Sequence, residues 1–295
     1  MHHYERLVMT HLLSTFAALT LATLIAAAPA HAEGKLRIAE QFGVVYLLLN
    51  VAQDQKLIEK HGLKNGVKID VDWIKLSGGG AVNDALLSGS IDIAGAGVGP
   101  LLTIWDRTAG RQNVKGVASL GNFPYYLVST NPKVKTIADF TDVDRIALPA
   151  SIVSVQARIL QMAAAKQWGI GEFKRLDRLT QSIPHADAAA AVIAGQTEIN
   201  AHLTYRALVD ALAEAAASIA NNAAAAVDSY LRVNKSSIDR AFLLKVIRNP
   251  QVEFKVAPQN TLGMGQFMFK AGALNNQPKS WRDYFFDHPA LAAGS

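Results

Sequence analysis

The chain has no cysteine anywhere in its 295 residues. That excludes disulfides, thiolate metal sites such as structural zinc, and a lipid anchor attached through cysteine. Also lacking are the short arrangements that organise common catalytic centres. There is no nucleophile elbow G-x-S-x-G, no H-E-x-x-H, and no G-x-x-x-x-G-K-[ST] phosphate loop. Asp70 and Asp72 share one strand face, but a solvated face explains them better than acid–base chemistry. No catalytic residue, metal or cofactor is therefore expected. Charge of one sign is not concentrated either: 29 Lys+Arg against 24 Asp+Glu give +5, with the cations scattered. A nucleic-acid binder would gather them into a stripe interleaved with aromatics. A mild attraction for anions is all the balance implies.

Long apolar runs are confined to the first residues. Leu12 to Ala28 is apolar, with Arg6 and His11 before it and Pro29-Ala30-His31-Ala32 after it. Small residues at Ala30 and Ala32 form an A-x-A site, so residues 1–32 are expected to be an export leader cleaved after Ala32, with periplasmic delivery. An uncleaved anchor helix is the rival, because the run is close to spanning length. Further on, the Ala-rich stretch 211–226 is interrupted by Glu214, Ser218, Asn221 and Asn222, and is expected to be a soluble helix.

What is present is a central stretch from Val67 to Trp105. Val67 to Lys75 alternates as a strand, Leu76-Ser77-Gly78-Gly79-Gly80 follows, and Ala81 to Leu87 is helical. A second strand, Ile91 to Ala94, runs into Gly95-Ala-Gly97-Val98-Gly99-Pro100 and another helix. In a parallel sheet these two glycine-rich junctions line up at the carboxyl ends of the strands, where open α/β folds hold ligands. Glycine admits close approach of a ligand to the backbone, and free N–H groups at a helix start favour an anion. The alternative is that these are plain turn glycines.

The rest follows the same grammar. Leu36 to Ala39 is a strand, Val44 to Lys60 one helix, and Lys115 to Ser119 a further strand. A second unit opens with strand Asp144 to Leu148 and a helix from Val155 to about Trp168, with Ser151 or Ser154 as its N-cap or as a ligand contact. Phe173 to Leu179 is expected to be extended, Ala186 to Ala194 helical, and Glu198 to Leu203 a strand. Leu86 to Ile93 and Val192 to Ile199 repeat one phrase, a helix end, a glycine and a carboxylate-Ile strand start, which suggests duplicated lobes. Helices are expected at 205–221, 223–233, 239–247 and 261–271. Two facing lobes make a cleft suited to a small molecule.

Several phrases together resemble a known family. They are Ala85-Leu-Leu-Ser-Gly89, Ile146-Ala-Leu-Pro-Ala150, Ser154-Val-Gln-Ala157, Pro184-His185-Ala-Asp187-Ala188, Ile199-Asn-Ala-His202, Pro258-Gln-Asn-Thr261 and Ser280-Trp-Arg-Asp-Tyr-Phe285. The family is the nitrate/sulfonate/taurine-type substrate-binding proteins of ABC importers. The resemblance implies an α/β, two-lobed type II periplasmic-binding fold. Lobe one would be 33–130, lobe two 131–204, and 205–295 C-terminal helices on lobe one. It implies a monomer that captures a small anionic solute and delivers it to an inner-membrane permease. Carried over by position, lobe one would contribute Gln41, Phe42, Ser77, Gly78, Gly79, Gly80, Gly97, Val98 and Phe123. Lobe two would contribute Val153, Ser154, His185 and Thr204, with backbone N–H groups at Gly79, Gly80 and Ser154 holding the anion. Phe42 and Phe123 would serve an apolar tail or simply core; His185 would be a donor or structural.

Two departures stand out. Ile152 occupies a place where many relatives have Lys. After Thr204, moreover, the family's next several tens of residues are missing and Tyr205 starts the C-terminal helices directly. Lobe two is therefore expected to be incomplete, with an open sheet edge and weakened binding. A periplasmic ligand sensor is an alternative, and a cysteine-dependent pyrimidine-precursor synthase of the same fold is disfavoured by the lack of cysteine.

Overall fold

The alternating phrase Leu36-Arg-Ile-Ala39 forms the middle of a sheet in the computed structural model, which describes residues 35–183 and 201–295. This strand, β1 (Lys35–Glu40), buries Leu36 and Ile38 almost completely. β2 (Asp70–Lys75) lies parallel to it, in register from Lys35 opposite Asp70 to Glu40 opposite Lys75. β3 (Ile93–Ala94) pairs on the other side, with Ile38 opposite Ile93. The order β2-β1-β3 puts all three strand ends, and both glycine-rich junctions, on one edge.

Helices cover this sheet. The single helix expected over 44–60 is instead a short 3₁₀ turn and two helices, α1 (Leu47–Asp54) and α2 (Leu57–Lys64). Lys56 breaks them apart by adopting φ 51°, a left-handed conformation that costs a non-glycine residue about 1 kcal/mol. The turn lets Leu57 and Ile58 face the core from a new direction, where both are buried. α3 (Gly79–Leu87) follows β2 and α4 (Val98–Thr108) follows β3.

The second unit is smaller. β4 (Ile146–Leu148) pairs in parallel with β5 (Thr180–Ser182), and α5 (Val155–Trp168) crosses between them. Phe173 to Leu179 is not extended. It holds parts of 3₁₀ turns, because Leu176 and Leu179 bury on the α5 side at helical rather than alternating spacing. Lys115 to Ser119 likewise joins no sheet. The C-terminal segments supply its partners, through a single bridge from Gly116 to Phe285 and a 2.7 Å bond from the Ser119 N–H to the Val256 carbonyl.

The C-terminal third is α6 (Ala201–Asn221), α7 (Ala223–Asn234), α8 (Arg240–Ile247) and α9 (Leu262–Lys270). Residues 201–203, expected as a strand end, are the first turn of α6. The apolar spacing of Ala207, Leu208, Ala211, Leu212, Ala215 and Ile219 is that of one helix face, and it packs with β1, α1 and α2 in one core. Asn222 ends α6 and caps α7, its side chain accepting the Ala225 N–H at 3.1 Å. A second core joins Leu102 of α4 to Met264 and Met268 of α9 and to Trp281, Tyr284 and Phe285. Asp106 pins this region, accepting hydrogen bonds from the backbone and side-chain N–H groups of both Asn275 and Asn276. The leader, His185, the helix expected over 186–194 and the strand start at 198–200 lie outside the described residues. No helix among the described residues is long and apolar enough to cross a membrane.

Candidate functional site

At the carboxyl edge of the first sheet, the two glycine junctions meet the loop that leads into α5. Gly78 holds φ 86°, a conformation that side chains rarely adopt, and so turns the chain from β2 into α3. A methyl on Gly78 would lie 3.6 Å from the Pro149 carbonyl, and one on Gly80 would lie 3.6 Å from a methyl of Val153. The second junction is tighter. A methyl on Gly97 would come within 2.8 Å of the Val155 Cβ, and one on Gly99 within 3.2 Å of the Arg158 Cγ. Both junctions thus face the 149–158 segment across a seam between the units. Glycine at 97 and 99 serves a close approach, and here the approaching group is the chain's own α5.

The candidate residues from lobe one do not share one environment. Gln41 is buried and donates from Nε2 to the Gly95 carbonyl at 3.0 Å, tying the end of β1 to the second glycine junction. Ser77 is half-buried, and its hydroxyl makes no hydrogen bond among the described residues. Gly79 and Gly80 open α3, so their N–H groups lack intrahelical acceptors. Phe42 lies under Lys75, whose ammonium is 5.7 Å from the ring centre. Lys75 is committed elsewhere: it pairs with Glu40 at 2.5 Å and donates to Asn234 Oδ1 at 2.6 Å. Burial pushes the Glu40 carboxyl above its usual range, while Lys75 and Asn50 pull it back. Phe123 belongs to a different place. It packs edge-on against Phe254 at 5.4 Å and lines a hollow of about 380 Å³ with Pro124, Pro250 and Glu253.

From the second unit, Val153 stands at the seam and Ile152 is exposed to solvent. Ser154 is fully engaged as the N-cap of α5. Its Oγ accepts the Ala157 N–H at 3.2 Å and donates to the Ala150 carbonyl at 2.6 Å. The Ser154 N–H points at that same carbonyl, so the backbone donor expected for an anion is occupied. Thr204 is buried on α6 rather than at a strand end.

Arg158 was not singled out from sequence. It is 7% exposed, its Nη1 donates to Gln161 Oε1 at 3.0 Å, and its Nε has no partner. Gln161 in turn donates to Asp177 at 2.9 Å, so the nearest carboxylate is reached only through an amide. Burial lowers the Arg158 pKa and Asp177 partly offsets this; a guanidinium still keeps its proton. A buried cation without a carboxylate in direct contact is costly, and an anion in the seam would relieve it. The available signal was an arginine four residues beyond the cap Ser154, set among Ala157, Ile159 and Leu160.

The larger hollow lies one helical turn further along the same contact. Its volume is about 530 Å³, and Val98 of α4, Ile159 and Met162 of α5, and Gly263 and Met264 of α9 line it. Val98 is the one candidate residue from the sequence that reaches it. Neither hollow is lined by Ser77, Gly79 or Ser154.

Compared with known proteins, the chain matches no family model and no curated protein. It is similar to solved structures, among them two sulfonate-binding proteins. One is the alkanesulfonate-binding protein SsuA from Xanthomonas axonopodis pv. citri bound to MOPS, at 17% identity and TM-score 0.47, covering 84% of this chain and 96% of that one. The other is the periplasmic aliphatic sulphonate binding protein SsuA from Escherichia coli, at 16% identity and TM-score 0.53, covering 85% of this chain and 98% of that one. The second likeness, with the parallel β2-β1-β3 and β4-β5 sheets, gives the chain the two-lobed α/β fold of a periplasmic binding protein.

Proposed function

We propose that this chain is the solute-binding component of an ABC importer, exported to the periplasm, and that it captures a small anion, a sulfonate or a similar organic acid, in the seam between its two units. The observation that carries this reading is Arg158, a buried guanidinium beside Gly99 whose Nε is unpartnered. The first-turn amides of α3 and the Ser77 hydroxyl, at the other glycine junction, are proposed as further donors to the oxyanion. The close packing of Gly97 on Val155 represents the seam shut, and a solute would enter when the units part. The aliphatic sulphonate bound by a protein of the same fold supports the ligand class.

The second lobe is proposed to be incomplete. Its sheet has two strands among the described residues, and the apolar segment from Tyr125 to Val128, at the end of lobe one where the chain leads into lobe two, pairs with neither. Tyr126 is 70% exposed and Val128 86%, as expected of a strand without a neighbour among the described residues.

A thermal-shift panel of methanesulfonate, taurine, nitrate and acetate against uncharged analogues tests the reading. A bound anion should raise the midpoint by about 5–10 °C at roughly a hundred times its Kd. Equal shifts from the uncharged analogues, or none from any anion, would overturn it. An Arg158→Lys variant that keeps part of the shift and an Arg158→Gln variant that loses it would tie the anion to the seam.

A further inference from the structure

The hollow between α4, α5 and α9 has walls and charge that suit a different molecule from the one proposed for the seam. Its volume of about 530 Å³ falls within the range of small-molecule sites, about 300–1,000 Å³. Ile159, Met162 and Met264 give it an apolar wall, and two methionines make that wall adaptable in shape. Gly263 opens it further: a Cβ added there would meet nothing within 4 Å. The one charged lining residue is Lys166, exposed and without an ion pair among the described residues, and no carboxylate lines the hollow.

We propose that this hollow is a second binding site, for an amphipathic organic anion with an alkyl or aryl body and one sulfonate or carboxylate group. The body lies against Met162, Met264 and Ile159, and the acid group meets Lys166 at the rim. The position of Lys166 on α5, one turn beyond Met162, sets that polarity. A hydrophobic contact of this kind grows with chain length, about threefold to fourfold in affinity per methylene buried. The rim ion pair adds only about two- to fivefold, because Lys166 stays in water. The inference stands apart from the seam: it uses neither Arg158 nor the glycine junctions.

Methionine-methyl NMR reads it directly. Met162 and Met264 line the hollow, whereas Met268 lies in the core and serves as control. Hexanesulfonate should shift the Met162 and Met264 signals saturably and leave Met268 in place, with octanesulfonate tighter and butanesulfonate weaker. Lys166→Gln should weaken hexanesulfonate by about two- to fivefold and leave 1-hexanol unchanged. Gly263→Leu, which fills the space from a helical position, should abolish the shifts without lowering the thermal midpoint. Excess methanesulfonate, the short probe of the seam, should not displace hexanesulfonate. The proposal is overturned if neither Met162 nor Met264 responds, if 1-hexanol binds as tightly as hexanesulfonate, if Gly263→Leu still binds, or if methanesulfonate competes. Failure of the seam reading would show separately, as absence of any response to short anions.

Discussion

Replacing Gly97 by alanine probes the contact between the two units at its tightest point. The residue sits at φ −73°, so a side chain brings no backbone strain and the effect is steric. The new methyl would lie 2.8 Å from the Val155 Cβ and 2.9 Å from its Cγ1, well inside van der Waals contact. Overpacking of this kind costs about 1–3 kcal/mol. A further few tenths come from the weaker N-cap that alanine makes at the start of α4. For a chain of this size the sum corresponds to a midpoint lowered by about 2–14 °C. Val155→Ala removes two half-buried methyls and should cost about 1 kcal/mol alone. In the double variant the Cγ1 part of the clash is relieved while the Val155 Cβ stays in place, so the two changes should couple by about 1 kcal/mol in the stabilising direction. Chemical denaturation of the four proteins in the cycle gives the number. If the effects add to within about 0.5 kcal/mol, the units do not meet at Gly97 and Val155, and the account of the seam is wrong.

Other elements yield sharper single measurements. Ser154→Ala should lower stability by about 1 kcal/mol through loss of the α5 cap, and Ser154→Asp should restore most of it, as followed by urea denaturation. Asp106→Ala removes the acceptor that holds Asn275 and Asn276, so stability should fall by about 3 kcal/mol and hydrogen-exchange protection at those two amides should disappear. Asp54 is held below the usual carboxylate range by hydrogen bonds from Arg232 and then Ser229. Its contribution is present above the unfolded pKa of about 3.9 and is lost as pH falls through the lower folded value. Asp54→Asn should therefore flatten the stability loss as pH falls below about 4. Glu40, raised by burial, has the opposite sign and loses its contribution as pH rises through its folded value.

Alternation made β1 and β2 readable in advance, because Leu36 and Ile38 in β1 and Val71 and Trp73 in β2 pack into one core from alternate positions. The two glycine junctions were equally legible. What periodicity could not supply was the identity of the group that comes close: it is α5, brought in from more than fifty residues away. The strand expected at Lys115 to Ser119 failed because its partner is the C-terminal segment around Val256 and Phe285, a pairing with no local signature. The error at 201–203 came from extending a repeated phrase against strong local helix propensity in the Ala- and Leu-rich run that follows. Ser154 kept the ordinary capping role that its position before α5 suggested. Arg158 and Lys166 were overlooked because a cation on a helix says nothing of its burial until the partner surfaces are known. Similarly, the hollow beside Met162 joins residues near positions 98, 160 and 263, which no short motif connects.

Isothermal titration of methanesulfonate into the purified chain, alongside Arg158→Gln and Arg158→Lys, tests the central claim most directly. The account predicts saturable binding to the original chain, weakened by about thirtyfold or more in Arg158→Gln and by less in Arg158→Lys, with all three proteins folded by circular dichroism. Binding of the same strength in Arg158→Gln, or no heat from the original chain, would contradict it.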